Sequence, residues 1–201
     1  MKSPGNGVFE KFEFIDGPFV IQSDSSDLKY PIRLEFHDSN NDIFRQRLNH
    51  GSPINLPKHG IFFIRFSSSE CKTKDFEEDF LEIYHIESIG ICGDFSNWDS
   101  SLNLTQRGSS LIFDGVFSFP KGEYEYKIRA NNNWTVELGG NSEDLCSWLG
   151  ENLRIKSDGE KTRIVLDLSS HPWKIIGCND LEYSLSQLAE DIEDKKNEQS
   201  T

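Results

Sequence analysis

Two tryptophans, Trp98 and Trp134, stand at predicted turns beside asparagines, and Lys127 lies on the strand that leads into the second turn. An aromatic ring offers a large apolar contact area at a small cost in rotamer freedom. Amide and ammonium groups next to such a ring supply hydrogen bonds. Sugars present flat apolar C–H faces between hydroxyl groups, so this combination of side chains is typical of a surface that binds them. We therefore expect these three residues to form the centre of a carbohydrate-binding site.

The polarity of residues 123–130 alternates, and this alternation determines where Lys127 points. Its apolar side chains share one face of the predicted strand, namely Tyr124, Tyr126 and Ile128. Lys127 falls on the opposite face, because successive side chains of a strand point to opposite sides. If the tyrosines enter the core, the lysine faces outward, where it can donate hydrogen bonds to a ligand.

The sequence contains no comparable pattern that indicates catalysis. A glycoside hydrolase needs two carboxylates at a fixed separation across a cleft, and no motif among the 34 acidic residues marks such a pair. The five histidines lack metal-ligand spacing, and the four cysteines include no C-x-x-C pair. No glycine-rich phosphate loop is present. The sequence therefore predicts a protein that is not an enzyme and has no metal site and no cofactor.

Composition limits the classes of partner. The net charge is −13 and the pI is near 4.8, so the surface repels the phosphates of nucleic acids and of anionic membranes. Residues 1–7 contain no apolar signal segment, and no apolar run reaches the length of a membrane span. We expect a cytoplasmic protein that binds neither nucleic acid nor membrane.

Short apolar strands separated by Gly, Pro, Asp and Asn turns predict an all-β fold. Residues 1–88 are expected to form a small β domain of unassigned role, and residues 89–176 a β-sandwich of immunoglobulin-like type. Within the sandwich, the Asp-Gly pair at 114–115 predicts a hairpin between strands at 111–113 and 116–119. A strand is predicted to resume at 134–136, and residues 139–150 are expected to form a loop.

Residues 177–201 differ from the rest of the chain. Leucine and isoleucine recur at helical spacing, namely Leu181, Leu185, Leu188 and Ile192. Asn179 and Asp180 precede them and can cap a helix. We therefore predict a C-terminal amphipathic helix followed by an acidic tail. The helix either packs on its own chain or contacts a protein partner.

Three motifs carry a resemblance to a known family. They are Gly-Asp-Phe-Ser-Asn-Trp at 93–98, Pro-Lys-Gly-Glu-Tyr-Glu-Tyr-Lys at 120–127 and Asn-Asn-Asn-Trp at 131–134. Together they resemble the starch- and glycogen-binding modules of immunoglobulin-like fold. That group includes the glycogen-binding domain of the AMP-activated protein kinase β subunit and the N-terminal modules of isoamylases, branching enzymes and pullulanases. The resemblance covers about residues 89–176.

The resemblance implies a role for each matching position. Trp98 and Trp134 would be stacking platforms for glucose rings, and Lys127 would bond to sugar hydroxyls. Leu149 would be an apolar contact, and Asn152 would supply an amide that fixes a hydroxyl. The implied ligand is an α-glucan such as starch or glycogen, bound without catalysis.

The chain departs from the family pattern in one segment, and a second function remains open. The segment 139–148 is longer than in the family and carries Trp148, which either adds a third platform or packs the loop. Asn133, directly before the second platform, is a candidate for an additional contact. The alternative function is a protein-interaction scaffold with a degenerate sugar site, with partner surfaces on residues 1–88 or on the C-terminal helix.

Overall fold

The computed structural model describes residues 8–16, 19–21, 32–38, 40, 42–48, 54–56, 59–67, 79–142, 145–169 and 171–178. These residues form seventeen β-strands and one 3-10 turn, and they include no α-helix. The all-β class predicted from the sequence is confirmed. The helix predicted over 181–192 lies outside the described residues. Within the described ranges, no helix is long and apolar enough to cross a membrane.

The described residues divide into two compact units. The first extends to Ser88 and adds the short segments Ser109–Leu111 and Leu168–His171. The second contains Ile89–Gly108, Ile112–Asp167 and the positions from Pro172 onward.

The first unit is built on a five-stranded sheet. The unit as a whole contains seven strands, namely β1 Val8–Ile15, β2 Phe19–Ile21, β3 Ile32–His37, β4 Ile43–Leu48, β5 Ile54–Leu56, β6 Gly60–Ser67 and β7 Asp79–Ile86. The order across the sheet is β1-β6-β7-β3-β4, while β2 and β5 pair separately. Only β3 and β7 pair in parallel among these described strands; the other pairs are antiparallel.

One face of this sheet forms an apolar core. The core side chains are buried and belong to Leu34, Phe62, Leu81 and Ile83. Each such side chain contributes about 1.5–3 kcal/mol when it leaves water. Alternation along the strands places these residues on a shared face.

The opposite face is charged but also largely buried. Glu35 and His37, which alternate with Leu34 along β3, are each only 8% exposed. Arg45 binds the carboxylate of Glu35 over 2.7 Å, and the ring of His37 stacks on Tyr84. Burial lowers the pKa of His37 and outweighs the attraction of nearby carboxylates.

The second unit contains ten strands. They are β8 Ile89–Gly93, β9 Leu102–Asn103, β10 Thr105–Gln106, β11 Ile112–Ser118, β12 Gly122–Ala130, β13 Glu137–Ser142, β14 Leu145–Trp148, β15 Leu153–Ser157, β16 Lys161–Asp167 and β17 Trp173–Cys178. The sheet order is β10-β11-β16-β17-β14-β13-β12-β8-β9, and β15 also pairs with β12. The largest buried side chains include Ile91, Ile128, Leu138, Ile164 and Trp173.

The hairpin predicted at Asp114–Gly115 is wrong. Strand β11 runs unbroken from Ile112 to Ser118 and pairs with β16 along its whole length. The carboxylate of Asp114 accepts two hydrogen bonds from Arg107, at 2.9 and 2.8 Å, and a third from Arg163. These ion pairs satisfy an aspartate within a strand, which local turn propensity does not anticipate.

The loop predicted at 139–150 is also wrong. Strands β13 and β14 form an antiparallel hairpin there, with a register shift between Gly140 and Ser142. A Cβ added to Gly139 would lie 2.1 Å from the carbonyl oxygen of Gly150. The glycines therefore permit close backbone approach between segments, where the sequence pattern indicated a loop.

We expect Asp114→Asn to lower the free energy of unfolding by about 2 kcal/mol at pH 7, because hydrogen bonds from two arginines to a charged group are lost. Burial raises the pKa of Asp114, but bonds from Arg107 and Arg163 outweigh it and lower the pKa overall. The carboxylate therefore stabilises the fold above about pH 4 and loses this effect as the pH falls. Urea unfolding at several pH values measures the difference.

The matched control is Glu123→Gln, which changes a carboxylate with 78% side-chain exposure on strand β12. It should remain within about 0.5 kcal/mol of the wild type. If the free energies of unfolding of Asp114→Asn and the wild type differ by the same amount at pH 3 and at pH 7, the stabilisation does not come from the ionised carboxylate of Asp114.

Candidate functional site

Strand β12 organises the candidate site. Its buried face includes Tyr126 and Ile128, which are 3% and 1% exposed. The opposite face carries four charged side chains, those of Glu123, Glu125, Lys127 and Arg129, and the last three lie at the candidate site. Each of the three contacts a different neighbouring segment. Among the residues predicted for the site, Trp134 contacts Arg129 and Asn152 contacts Glu125 on this face.

Trp98 lies in the turn that follows β8. A single 3-10 turn, Asp94–Ser96, is followed by Asn97 and Trp98 with φ angles of 49° and 62°. The backbone N–H of Trp98 donates to the carbonyl of Gly93 over 3.0 Å. Positive φ is an outlier for a bulky residue. Such backbone strain persists where surrounding contacts maintain it, and it often marks functional sites.

The carboxylate of Asp94 holds the indole of Trp98 in place. Trp98 Nε1 donates to Asp94 Oδ1 over 3.0 Å, and the backbone N–H of Glu125 donates to Asp94 Oδ2 over 2.8 Å. One side chain thus ties the ring to β12. A Cβ on Gly93 would collide with the carbonyl oxygen of Glu125. The motif therefore needs glycine at its first position, because the backbones of β8 and β12 approach each other closely there.

Trp134 lies in a second turn, and the strand predicted to resume at 134–136 is wrong. Asn131 and Asn132 have φ angles of 51° and 53°, a conformation that asparagine tolerates better than most residues. The turn continues through Trp134, and β13 begins only at Glu137. The side chain of Trp134 is 42% exposed.

The guanidinium of Arg129 supports Trp134 and joins the two tryptophan turns. Its Cζ lies 4.7 Å from the centre of the Trp134 ring, although Arg129 itself is only 3% exposed. It donates to Ser101 Oγ over 2.7 Å and to the Asp99 carbonyl over 2.9 Å. It also donates to Asn132 Oδ1 over 2.7 Å. A planar guanidinium that is held by several hydrogen bonds is a rigid support for an aromatic ring.

Trp98 and Trp134 lie side by side. Their ring centroids are 6.1 Å apart, and the ring planes are tilted by 34°. Trp98 is half-buried and Trp134 is exposed. The two rings are therefore neighbours whose planes meet at a shallow angle.

Lys127 lies on the face of β12 opposite Tyr126, but it is largely buried and paired with a carboxylate. Its Nζ lies 2.9 Å from Glu137 Oε1, and the side chains are 18% and 16% exposed. An ammonium group carries three N–H donors, and this ion pair uses one of them. The ion pair fixes the ammonium, so further hydrogen bonds would cost little ordering of the side chain.

Leu149 reaches the same region through the backbone. Its N–H donates to the carbonyl of Glu137 over 3.2 Å, and its φ is 58°. The side chain is 60% exposed. The bridge between Gly140 and Glu151 and the close approach of Gly139 to Gly150 keep this segment beside β13.

Asn152 is exposed and bonds to the carboxylate of Glu125 on β12. Its Nδ2 donates to Glu125 Oε2 over 3.0 Å, while Arg154 donates to Glu125 Oε1 over 3.1 and 3.2 Å. Because Glu125 also bonds to Asp94 through its backbone, Asn152 is connected by hydrogen bonds to the Trp98 turn.

The two candidates for additional contacts lie in different settings. Asn133 Oδ1 accepts the backbone N–H of Thr135 over 2.9 Å, so this side chain shapes the Trp134 turn. Trp148 belongs to strand β14, is half-buried and pairs with Leu138, which is 2% exposed. Its surroundings are those of a packing residue in a hairpin.

Sequence reasoning missed the residues that hold the site together. Arg129 and Glu125 share the outward face of Lys127, so the alternation along β12 already indicated them. Asp94 lies four positions before Trp98, close enough for a local hydrogen bond. The role of Glu137 depends on the pairing of β12 with β13, which the sequence pattern did not provide.

We expect Arg129→Lys to lower the free energy of unfolding by about 2 kcal/mol, because an ammonium cannot reproduce the three bonds of the guanidinium. The Trp134 ring should also lose its fixed position. Urea unfolding measures the first effect, and the indole N–H resonance in an NMR spectrum measures the second.

Arg154→Lys is the matched control, since Arg154 has 80% side-chain exposure on the adjacent strand β15. It should change stability by less than about 0.5 kcal/mol. If Arg129→Lys has equally small effects on stability and on the Trp134 resonance, the guanidinium does not support this ring.

Comparison with known protein families finds no family model that matches the chain. A comparison with curated proteins finds no match either.

Proposed function

We propose that the chain binds α-glucan without catalysis, through an immunoglobulin-like sandwich formed by its second unit. The observation that carries the proposal is the aromatic surface of Trp98 and Trp134, with centroids 6.1 Å apart. Trp134 is 42% exposed and rests on a buried guanidinium. A rigid exposed ring binds a sugar face with little loss of conformational entropy.

The angle between the rings favours one class of polysaccharide. Trp98 and Trp134 are tilted by 34°, so they form a shallow corner instead of a flat strip. Chains of α-linked glucose curve, whereas β-linked chains are flat. Stacking on both rings therefore suits an α-glucan such as starch or glycogen.

Polar groups for the hydroxyls lie near the rings along β12. Lys127 offers N–H donors beyond its bond to Glu137, and the Asn152 amide provides both a donor and an acceptor. Leu149 adds exposed apolar surface. A glucan carries no charge, so the net charge of −13 does not oppose binding. An open platform buries little ligand, so we expect a dissociation constant of roughly micromolar to millimolar.

A protein-interaction function is the second candidate, and one observation in the first unit favours it. Strand β4 lies at one end of the described sheet and exposes Ile43 and Phe44, at 44% and 56%. The two side chains point to opposite faces of the strand, and exposed apolar side chains on a strand at the end of a sheet are suited to a protein partner. This surface lies in a different unit from the tryptophans, so the two functions can be tested separately.

Electrophoresis of the full chain through a native gel containing glycogen or amylose tests the glucan proposal. We expect the wild type to be retarded. Trp134→Ala should weaken binding at least about tenfold, because a central aromatic contact is removed. Trp98→Ala should weaken it as well.

Phe44→Ala is the matched control, since it removes an exposed aromatic ring from the first unit. It should migrate like the wild type in the glucan gel. If no α-glucan retards the wild type, the binding proposal fails and the scaffold function is favoured. If Trp134→Ala is retarded as strongly as the wild type, the site lies elsewhere.

A further inference from the structure

The charged face of the five-stranded sheet contains an arrangement that the glucan site does not use. One row of side chains crosses the sheet in register, from Glu10 through Arg65, Glu82 and Glu35 to Arg45. Charges alternate along this row except at one place. Glu82 and Glu35 are directly opposite each other on the parallel strands β7 and β3. Like charges in this position destabilise a sheet unless another group lies between them.

Arginines hold the two carboxylates in fixed orientations. Arg33 and Arg45 both bond to Glu35 Oε1, at 3.1 and 2.7 Å. This leaves Glu35 Oε2 directed toward His37 Nε2, at 3.6 Å. On the other strand, Arg65 donates to Glu82 Oε2 over 2.7 Å.

His37 lies close to both acids. The residue is 8% exposed, and its ring stacks on Tyr84 with centroids 4.2 Å apart. Tyr84 in turn donates from its hydroxyl to Glu82 Oε1 over 2.7 Å. His37 Nε2 is buried and makes no close hydrogen bond with the residues that the structure describes, its neighbouring acceptor Glu35 Oε2 lying 3.6 Å away. A buried nitrogen without a partner costs free energy, and a bound cation would remove this cost.

We propose that Glu35, His37 and Glu82 bind a divalent metal ion of the zinc class. One potential ligand atom from each residue lies within 4.8 Å of the other two. Tetrahedral ligands about 2.1 Å from zinc lie about 3.4 Å apart. The 3.6 Å between Glu35 Oε2 and His37 Nε2 is already close to this value.

The donor set and its surroundings select the type of metal. One imidazole nitrogen and two carboxylates suit zinc, whereas calcium and magnesium require oxygen ligands. Arg33, Arg45 and Arg65 reduce the affinity for any cation and remove most of the electrostatic attraction on which a hard cation depends. The same arginines orient the carboxylates, as outer partners of metal ligands commonly do. The ion would join β3 to β7, and water would complete its coordination.

Isothermal titration of the chelator-treated full chain with Zn²⁺ tests this proposal. We expect one equivalent to bind, with affinity at least about tenfold weaker in His37→Gln. His59→Gln is the matched control, because His59 is an exposed histidine of the same unit. It should bind Zn²⁺ like the wild type.

A second measurement uses the wild type and does not depend on a variant that folds. In an NMR spectrum of the histidine rings, the Nε2 resonance of His37 should shift when one equivalent of Zn²⁺ is added. Absence of Zn²⁺ binding by the wild type would overturn the proposal. An unchanged His37 resonance with Zn²⁺ bound, or equal affinities of a folded His37→Gln and the wild type, would also overturn it.

Discussion

The positions of Trp98 and Trp134 depend on the contacts of the buried guanidinium of Arg129. It bonds to the turn containing Asp99 and Ser101 on one side and to Asn132 on the other. The same group lies 4.7 Å from the centre of the Trp134 ring. Burying a charge is costly unless its hydrogen bonds are satisfied, and here satisfying them positions both turns. A requirement of stability thus also fixes the geometry of the proposed binding surface.

Strand β12 extends this constraint to the rest of the site. One edge pairs with β8, whose following turn carries Trp98, and the other edge pairs with both β15 and β13. Leu149 and Asn152 lie between β13 and β15 along the chain, so they reach the second edge. Because side chains alternate, the buried Tyr126 and Ile128 determine which charged side chains lie on the opposite face of the strand. Core and site are therefore two faces of one strand.

The sequence predicted the parts of this arrangement that depend on local pattern. Alternation correctly placed Lys127 opposite Tyr126, and the density of turns predicted the all-β class. The hairpin at 114–115 failed because contacts with Arg107 and Arg163 override turn propensity. Arg129 was missed for a similar reason, since its partner Ser101 is 28 positions away in the sequence. The immunoglobulin-like assignment and the glucan ligand stay predictions.

The most direct test of the central claim is an NMR titration of the full chain with a soluble α-glucan oligosaccharide, followed through the indole N–H resonances. The account predicts that the resonances of Trp98 and Trp134 shift together, because the rings form one surface. The resonance of Trp173, which is 1% exposed in the core, should stay in place. A titration in which neither Trp98 nor Trp134 shifts, at oligosaccharide concentrations in the millimolar range expected for an open platform, would contradict the account.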